Sequence, residues 1–174
     1  MNITLVLGTA RKERRSEHIT DYLQKKFSEL SDVNLSYVDV AEWVKSPRTI
    51  PEWEDSEESK PWKELMTKTD ALVLVVPEYN HSYPGELKLL LDMDFDNYNR
   101  MPVVVVGASS GSHGGMRVIE HIQPVLNNFK MNVVPASLRF DSLKDFASMS
   151  HDARDDMQKE RFDKMLALLR EYVQ

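Results

Sequence analysis

Short apolar runs separated by longer polar stretches set the pattern of this chain. Five of them have the length and composition of β-strands, at residues 3–7, 35–40, 71–76, 103–106 and 132–136. The third and fourth runs, ALVLVV and VVVV, are continuous and rich in β-branched residues rather than alternating. Strands that are covered on both faces have this composition, so the pattern predicts a parallel sheet with helices on either side.

Helical periodicity fills the spaces between these runs. It predicts helices over residues 16–30, 61–69, 84–93, 116–129 and 153–172. The second and third of these helices have proline in the first turn, where its missing N–H is not needed. The repeated strand-helix alternation predicts an α/β doubly wound fold, which we interpret as one domain over residues 1–174.

Two connections are unusual. Residues 43–60 are rich in proline and acidic residues but include two of the three tryptophans, so they are interpreted as either a solvated loop or a lid or subunit contact. Residues 140–151 follow the fifth strand and are more apolar than a free loop. We expect this second connection to pack on a neighbour or to border the functional site.

Composition and charge exclude several classes of function. The net charge of −6 argues against nucleic acid as a partner, and the absence of cysteine excludes disulfides and thiol chemistry. The N-terminal apolar run is too short for a signal peptide, and no run approaches the length of a membrane span, so neither membrane nor export is expected. The five histidines lack metal-ligand spacing, so no metal is expected. A cytoplasmic location fits these features.

The first loop of chemical interest follows the first strand and reads GTARKERRS over residues 8–16. Thr9 and Ser16 supply hydroxyl groups, and Arg11 supplies a guanidinium group that suits a phosphate. Because Ser16 is placed as the N-cap of the next helix, we expect the N–H groups of residues 17–19 to point at an anion. A capped helix behind a solvated basic run is the alternative. The loop is neither a Walker A nor a dinucleotide-binding pattern, so nucleotide hydrolysis is not favoured.

The second and third loops follow the third and fourth strands. The second reads PEYNHSYPG over residues 77–85, and we expect backbone N–H and C=O groups of residues 78–82 to recognise a planar heteroaromatic ring; a turn stabilised by Asn80 and Ser82 is the alternative. The third reads GASSGSHGGMR over residues 107–117 and lets the backbone approach a ligand. Since these loops emerge at one edge of a parallel sheet, they predict a site for a phosphorylated flat heterocycle, with FMN as the natural candidate.

With these three segments, the chain resembles the NAD(P)H-dependent FMN reductases of flavodoxin-like fold, a family that includes quinone, azo-dye and chromate reductases. Residues 8–11 are similar to its G-S-x-R pattern, with Thr9 in the place of serine. Residues 77–92 match P-E-Y-N-x-S-x-P-G-x-L-K-x-x-L-D, and residues 107–115 match G-x-S-x-G-x-x-G-G. The central match is long and specific, whereas the other two support it.

The resemblance implies a five-stranded parallel sheet in the order 2-1-3-4-5, FMN at its carboxyl edge, and a homodimer or homotetramer. The apolar KLLLD segment at residues 88–92 fits an oligomer contact. The cofactor-binding residues that the resemblance implies lie in all three loops. They are Thr9, Arg11, Ser16, Glu17 and His18 for the phosphate, Pro77, Glu78, Tyr79, Asn80, His81 and Ser82 beside the isoalloxazine ring, and Ser110, Gly111 and Gly114 at its other edge.

The activity implied is ping-pong transfer of reducing equivalents from NADPH or NADH to a flavin, quinone or similar small acceptor, without a catalytic side chain. Arg14 and Arg15 are candidates for pairing with the extra phosphate of NADPH, and a solvated basic patch is the alternative. Two other functions are open at this point. The first is a flavin-binding electron carrier or redox sensor without its own NAD(P)H turnover. The second is a module that has lost its cofactor and binds only a partner.

Overall fold

A six-stranded parallel sheet forms the centre of the computed structural model, which describes residues 1–136 and 138–173. The strands are β1 (Asn2–Leu7), β2 (Asn34–Asp39), β3 (Ala71–Pro77), β4 (Pro102–Ala108), β5 (Asn132–Val133) and β6 (Arg139–Phe140). Five of them lie in the order β2-β1-β3-β4-β5, and β6 pairs with the end of β4. The predicted strand order is therefore confirmed.

Helices cover both faces of this sheet. They are α1 (Glu17–Ser28), α2 (Val40–Trp43), α3 (Lys60–Met66), α4 (Gly85–Leu91), α5 (Met116–Asn128), α6 (Leu143–Ser148) and α7 (His151–Tyr172), and a 3₁₀ turn covers Asp96–Tyr98. One core lies between the sheet and α1, α6 and α7, and the other lies between the sheet and α2 to α5. Among the described residues, no helix has the length and apolar character needed to cross a membrane.

Burial on both faces explains why the sequence of strand β3 is apolar throughout. Ala71 and Val73 belong to the core under α1 and α7. Leu72 and Leu74 belong to the core on the opposite face. Every residue of β3 is buried, as expected for a central strand of a parallel sheet that has helices on both sides.

The fifth predicted strand, over residues 132–136, is too long at its C-terminal end. Strand β5 ends at Val133, although the N–H of Val134 still donates to the carbonyl of Val103 at 2.9 Å. Pro135 has no N–H to continue the ladder, and the N–H of Ala136 turns back to the carbonyl of Val134. The chain rejoins the edge of β4 as β6, so a single predicted strand is in fact two short ones.

The connection over residues 140–151 contains structure that the pattern did not resolve. It includes the end of β6 and the short helix α6, and Phe140 and Phe146 are buried with an edge-to-face contact at 4.9 Å between ring centroids. Its apolar residues therefore pack within this chain. Of the two tryptophans in the connection over residues 43–60, Trp53 is 79% exposed, whereas Trp43 packs against Trp62 of α3.

The apolar KLLLD segment contributes mainly to the core. Leu90 and Leu91 of α4 are buried in the core that α4 shares with α3 and α5, whereas Leu89 is only partly buried. Lys88 and Asp92 form an ion pair at 2.6 Å on the outer side of the helix. Two of the three leucines are thus accounted for within the chain, and the homodimer or homotetramer stays a prediction.

A buried hydrogen-bond chain joins α3 to the 3₁₀ turn. The indole N–H of Trp62 donates to the hydroxyl of Tyr98 at 2.6 Å, and that hydroxyl donates to the carbonyl of Leu91 at 3.0 Å. Burial raises the pKa of Tyr98 well above its ordinary value of 10.0, and the charges of Asp94 and Asp92 act in the same direction. Tyr98 therefore stays protonated in the folded protein under alkaline conditions.

This raised pKa predicts alkaline destabilisation. Above about pH 10 the tyrosine ionises in the unfolded chain but not in the folded one, so its contribution to stability is present below that pH and is lost as the pH rises. We expect Tyr98→Phe to lower the free energy of unfolding by about 1–3 kcal/mol near neutral pH, because the Trp62 N–H loses its acceptor. We also expect the variant to show a shallower decline between about pH 9.5 and 11. Urea unfolding across this range measures both, and an unchanged slope would contradict the assignment.

Candidate functional site

The three loops identified in the sequence meet around one cleft of about 220 Å³ at the carboxyl edge of the sheet. Six of the predicted site residues line it: Arg11, Ser16, Pro77, Glu78, Tyr79 and Ser110. Seven further lining residues were not predicted as FMN ligands: Lys12, Glu13, Arg14, Arg15, Ala108, Ser109 and Leu143. The cleft therefore joins the ends of β1, β3 and β4, with one side formed by the start of α6.

Positive charge is concentrated at this cleft in a chain whose net charge is −6. The first loop contributes Arg11, Lys12, Arg14 and Arg15, against only the carboxylates of Glu13 and Glu78. A concave surface of one sign raises the local concentration of ligands of the other sign. The electrostatics of the cleft thus favour an anionic ligand.

Ser16 occupies the predicted N-cap position of α1 but does not cap the helix. Its backbone is already helical, and its side chain accepts no hydrogen bond from the first turn. Its Oγ is buried and has no hydrogen-bond partner within the described part of the chain. An unpaired buried hydroxyl is costly, so Ser16 in the wall of the cleft is a candidate for binding a ligand.

The amides expected to face an anion are largely used inside the helix turn. The N–H of His18 donates to the carbonyl of Arg15 at 3.2 Å, and the N–H of Ile19 donates to the carbonyl of Ser16 at 3.1 Å. The expectation is therefore wrong for the amides of His18 and Ile19, because helical backbone angles at Ser16 start the turn one residue earlier. Glu17 and His18 do not line the cleft. The Oε2 atom of Glu17 lies 3.8 Å from Nε of Arg14.

Thr9 is fully buried and makes a network instead of lining the cleft. Its hydroxyl donates to Oε1 of Glu86 at 3.2 Å, and it accepts from the N–H of Arg11 at 3.1 Å. Since its single hydrogen goes to the carboxylate, its contact of 2.8 Å with the hydroxyl of Tyr79 makes Tyr79 the donor. Thr9 therefore joins the first loop to the second, and its hydrogen-bonding capacity is full.

The second loop is a tight hairpin. Tyr79 and Ser82 exchange backbone hydrogen bonds at 2.9 and 3.0 Å, and Asn80 and His81 form the tip with φ values of 49° and 69°. Positive φ at both tip residues is the geometry of a two-residue turn. The expectation that all backbone groups of residues 78–82 face a ligand is thus wrong, because Tyr79 and Ser82 pair with each other. Asn80, His81 and Ser82 lie outside the lining of the cleft.

Glu78 places a carboxylate at the wall of the cleft between the second and third loops. Its Oε1 accepts a hydrogen bond from Arg117 of α5 at 3.3 Å. Its Oε2 is buried and has no partner among the described residues. Glu78 and Ser16, which both line the cleft, therefore each have one unpaired polar atom.

In the third loop, Ser110 lines the cleft but the predicted glycines do not. The carbonyl of Gly111 accepts from the hydroxyl of Ser109 at 3.0 Å, which shapes the loop. Gly114 faces β6, since a Cβ there would lie 2.9 Å from the Cβ of Arg139. Both glycines thus shape the loop without lining the cleft.

Arg14 is held by the protein itself and is not available for the extra phosphate of NADPH. It donates through both terminal nitrogens to Asp39 at the end of β2, and through Nη1 to the carbonyl of Thr9. Partial burial acts to lower the pKa of Arg14, but the hydrogen bond and charge of Asp39 outweigh it and raise the pKa. Of the two candidates for that role, only the exposed Arg15 stays open.

Comparison with known proteins decides the family. Residues 1–143 match the family model described as NADPH-dependent FMN reductase. The chain belongs to this family. The family resemblance inferred from the sequence motifs is thereby confirmed, and the protein is of the oxidoreductase type that uses FMN with NAD(P)H.

Two curated relatives show how far the similarity extends. The chain is 28% identical over 151 residues to the NAD(P)H-dependent FMN reductase LOT6 of Saccharomyces cerevisiae. This match covers 77% of the chain and 78% of the relative. It is 29% identical over 121 residues to a quinone reductase of Pseudomonas putida, which covers 66% and 63%. The family match over residues 1–143 covers the part of the chain that carries all three loops.

Solved structures confirm the flavodoxin-like fold of this family member. The flavoenzyme NAD(P)H:(acceptor) oxidoreductase FerB of Paracoccus denitrificans superimposes with a TM-score of 0.72 at 18% identity, over 99% of this chain and 96% of that one. A flavodoxin of Pseudomonas aeruginosa superimposes with a TM-score of 0.60 at 16% identity, over 97% and 99%. At these identities the superpositions describe the fold alone.

Proposed function

We propose that the cleft binds FMN and that the protein transfers reducing equivalents from NADPH or NADH to a small acceptor such as a flavin or quinone, in ping-pong fashion. The observation that carries this proposal is the buried, unpaired hydroxyl of Ser16 in the wall of a cationic cleft. Such a hydroxyl fits a phosphate oxygen, which is a strong acceptor. The activities for which the two relatives are named suggest the electron donor and the class of acceptor.

The residues of the cleft divide into two groups. Arg11 and Ser16 would hold the phosphate, with Lys12 and Arg15 adding positive charge. Pro77 to Tyr79 and Ser110 would border the ring, and the unpaired Oε2 of Glu78 would accept a hydrogen bond from a ring N–H. Bound FMN supplies the hydride and electron chemistry, whereas these residues bind and orient it.

A ping-pong order fits a cleft of this kind. The cleft lies at the edge of the sheet and is open to solvent. One face of bound FMN would therefore be accessible to both substrates. NADPH or NADH and the acceptor would then use the same face in turn. No side chain of the cleft needs to act as a nucleophile or general base in this sequence.

The test is the visible absorption spectrum of the purified protein after addition of FMN and removal of the excess. We expect the yellow colour to stay with the protein and to bleach when NADPH or NADH is added without oxygen. Subsequent addition of a benzoquinone should restore the colour. A calorimetric titration with FMN measures the affinity in parallel.

Other outcomes separate the alternatives. Colour that is retained but is bleached by neither NADPH nor NADH, only by dithionite, would assign the protein as an electron carrier. An absence of FMN binding in the calorimeter would contradict the proposed cofactor site. A cytoplasmic location stays a prediction of the sequence.

A further inference from the structure

Glu86 is an acidic residue at a position where the family pattern P-G-x-L-K sets no requirement. It lies in the first turn of α4 and outside the lining of the cleft. Its Oε1 nevertheless accepts two hydrogen bonds from the first loop, at 2.7 Å from the N–H of Ala10 and at 3.2 Å from the hydroxyl of Thr9. These contacts join residues that are 76 and 77 positions apart in the chain.

We propose that Glu86 is a positioning residue that holds the first loop in the conformation that binds the phosphate of FMN. The inference rests on the proposed function, because it assigns Arg11 and Ser16 to that phosphate. Glu86 itself does not contact the cleft, so it acts only through the loop residues that it holds.

The connection from Glu86 to the phosphate-binding residues runs through hydrogen bonds. Because the Thr9 hydroxyl donates its hydrogen bond to Glu86, its oxygen serves as the acceptor for the N–H of Arg11 and the hydroxyl of Tyr79. This fixes the backbone at Arg11 and the direction of the Tyr79 side chain. The guanidinium group of Arg11 lies 5.3 Å from the centre of the Tyr79 ring, within range of a cation–π contact.

Charge makes this arrangement effective. The N–H of Ala10 belongs to a loop rich in arginine and lysine, and a carboxylate acceptor binds such an N–H more strongly than a neutral oxygen. Glu86 also lies in the first turn of α4, where a negative charge is favourable. The carboxylate therefore orders the loop without occupying the cleft, which Arg11, Lys12 and Arg15 line.

The first test compares FMN affinity in the wild-type chain, Glu86→Ala and Glu86→Gln by calorimetry. We expect Glu86→Ala to raise the Kd by about tenfold or more, the effect of losing a hydrogen bond to a charged group. Glu86→Gln retains a carbonyl oxygen that accepts from both Ala10 and Thr9 but lacks the charge, so its Kd should rise by about threefold, less than that of Glu86→Ala. Glu64→Ala is the matched control, an exposed glutamate on α3, and it should leave the Kd unchanged.

The second test needs no FMN. Hydrogen exchange of the amides over residues 9–16 should become faster in Glu86→Ala than in the wild type or Glu64→Ala, and Glu86→Gln should restore most of the protection. Exchange and affinity that are both unchanged in Glu86→Ala would overturn the positioning role. If the wild-type chain fails to bind FMN, the proposed function fails, and exchange alone then decides whether Glu86 orders this loop.

Discussion

Gly115→Ala is expected to lower the free energy of unfolding by about 3 kcal/mol or more and to abolish FMN binding. Gly115 has φ of 72°, a left-handed conformation that side chains disfavour. A Cβ at this position would lie 2.5 Å from the backbone nitrogen of Ala108 and 2.9 Å from the carbonyl carbon of Gly107. These are backbone atoms of a central strand and cannot move aside without breaking its pairing.

The effect reaches the cleft because Gly115 joins two elements. It is the N-cap residue of α5, and it lies against the last residues of β4. The chain continues from β4 into Ser109 and Ser110, which line the cleft. A displaced α5 would therefore move the third loop along with Arg117, the residue that holds Glu78.

Gly111→Ala is the matched control in the same loop. A Cβ at Gly111 would meet nothing within 4 Å, so we expect a change of less than about 0.5 kcal/mol. Urea unfolding of both variants gives the comparison, and retention of FMN measures the effect on the site. Equal stabilities of the two variants would show that the close approach at Gly115 is not the cause.

The parts of the fold that the sequence predicts are those whose pattern is local. The continuous apolar runs of β3 and β4 reflect burial on both faces, which needs no knowledge of partners. The fifth strand was predicted too long because its pairing is interrupted at Pro135 and resumes at β6. Helix α6 was missed because six residues give too few turns for a periodic pattern.

The candidate site follows the same division. Arg11, Ser16 and Glu78 were predicted because the ends of parallel strands meet at one edge, so chain order alone brings their loops together. Glu86 was missed because its partners are more than 70 residues away and its position resembles an ordinary acidic residue in a first helical turn. The turn at residues 79–82 was kept only as an alternative, because Asn80 and His81 adopt positive φ without glycine.

The role of Arg14 shows what a basic run cannot reveal. The sequence places it among four cations in residues 11–15, with nothing to distinguish it from Arg15. In the structure the side chains of Arg14 and Asp39 are only 15% and 10% exposed, and both terminal nitrogens of Arg14 bind that carboxylate. Arg14 therefore anchors the first loop to the end of β2.

Arg14→Ala is accordingly expected to lower the free energy of unfolding by about 3 kcal/mol, because it leaves the carboxylate of Asp39 largely buried without its ion pair. The carbonyl of Thr9 loses a donor at the same time, so the first loop also loses its tie to β2 and FMN affinity should fall. Urea unfolding and calorimetric FMN titration measure the two effects.

Two further variants separate anchoring from simple positive charge. Arg15→Ala removes a neighbouring cation that is exposed, so its stability should stay within about 0.5 kcal/mol of the wild type. Arg14→Lys keeps the charge but has no planar fork to bind both oxygens of Asp39 and the carbonyl of Thr9 together, so it should recover less than about half of the lost stability. If Arg14→Ala and Arg15→Ala lose the same free energy of unfolding, or if Arg14→Lys is as stable as the wild type, the loop is held by net charge. In that case the hydrogen bonds of the planar Arg14 guanidinium group are not the cause.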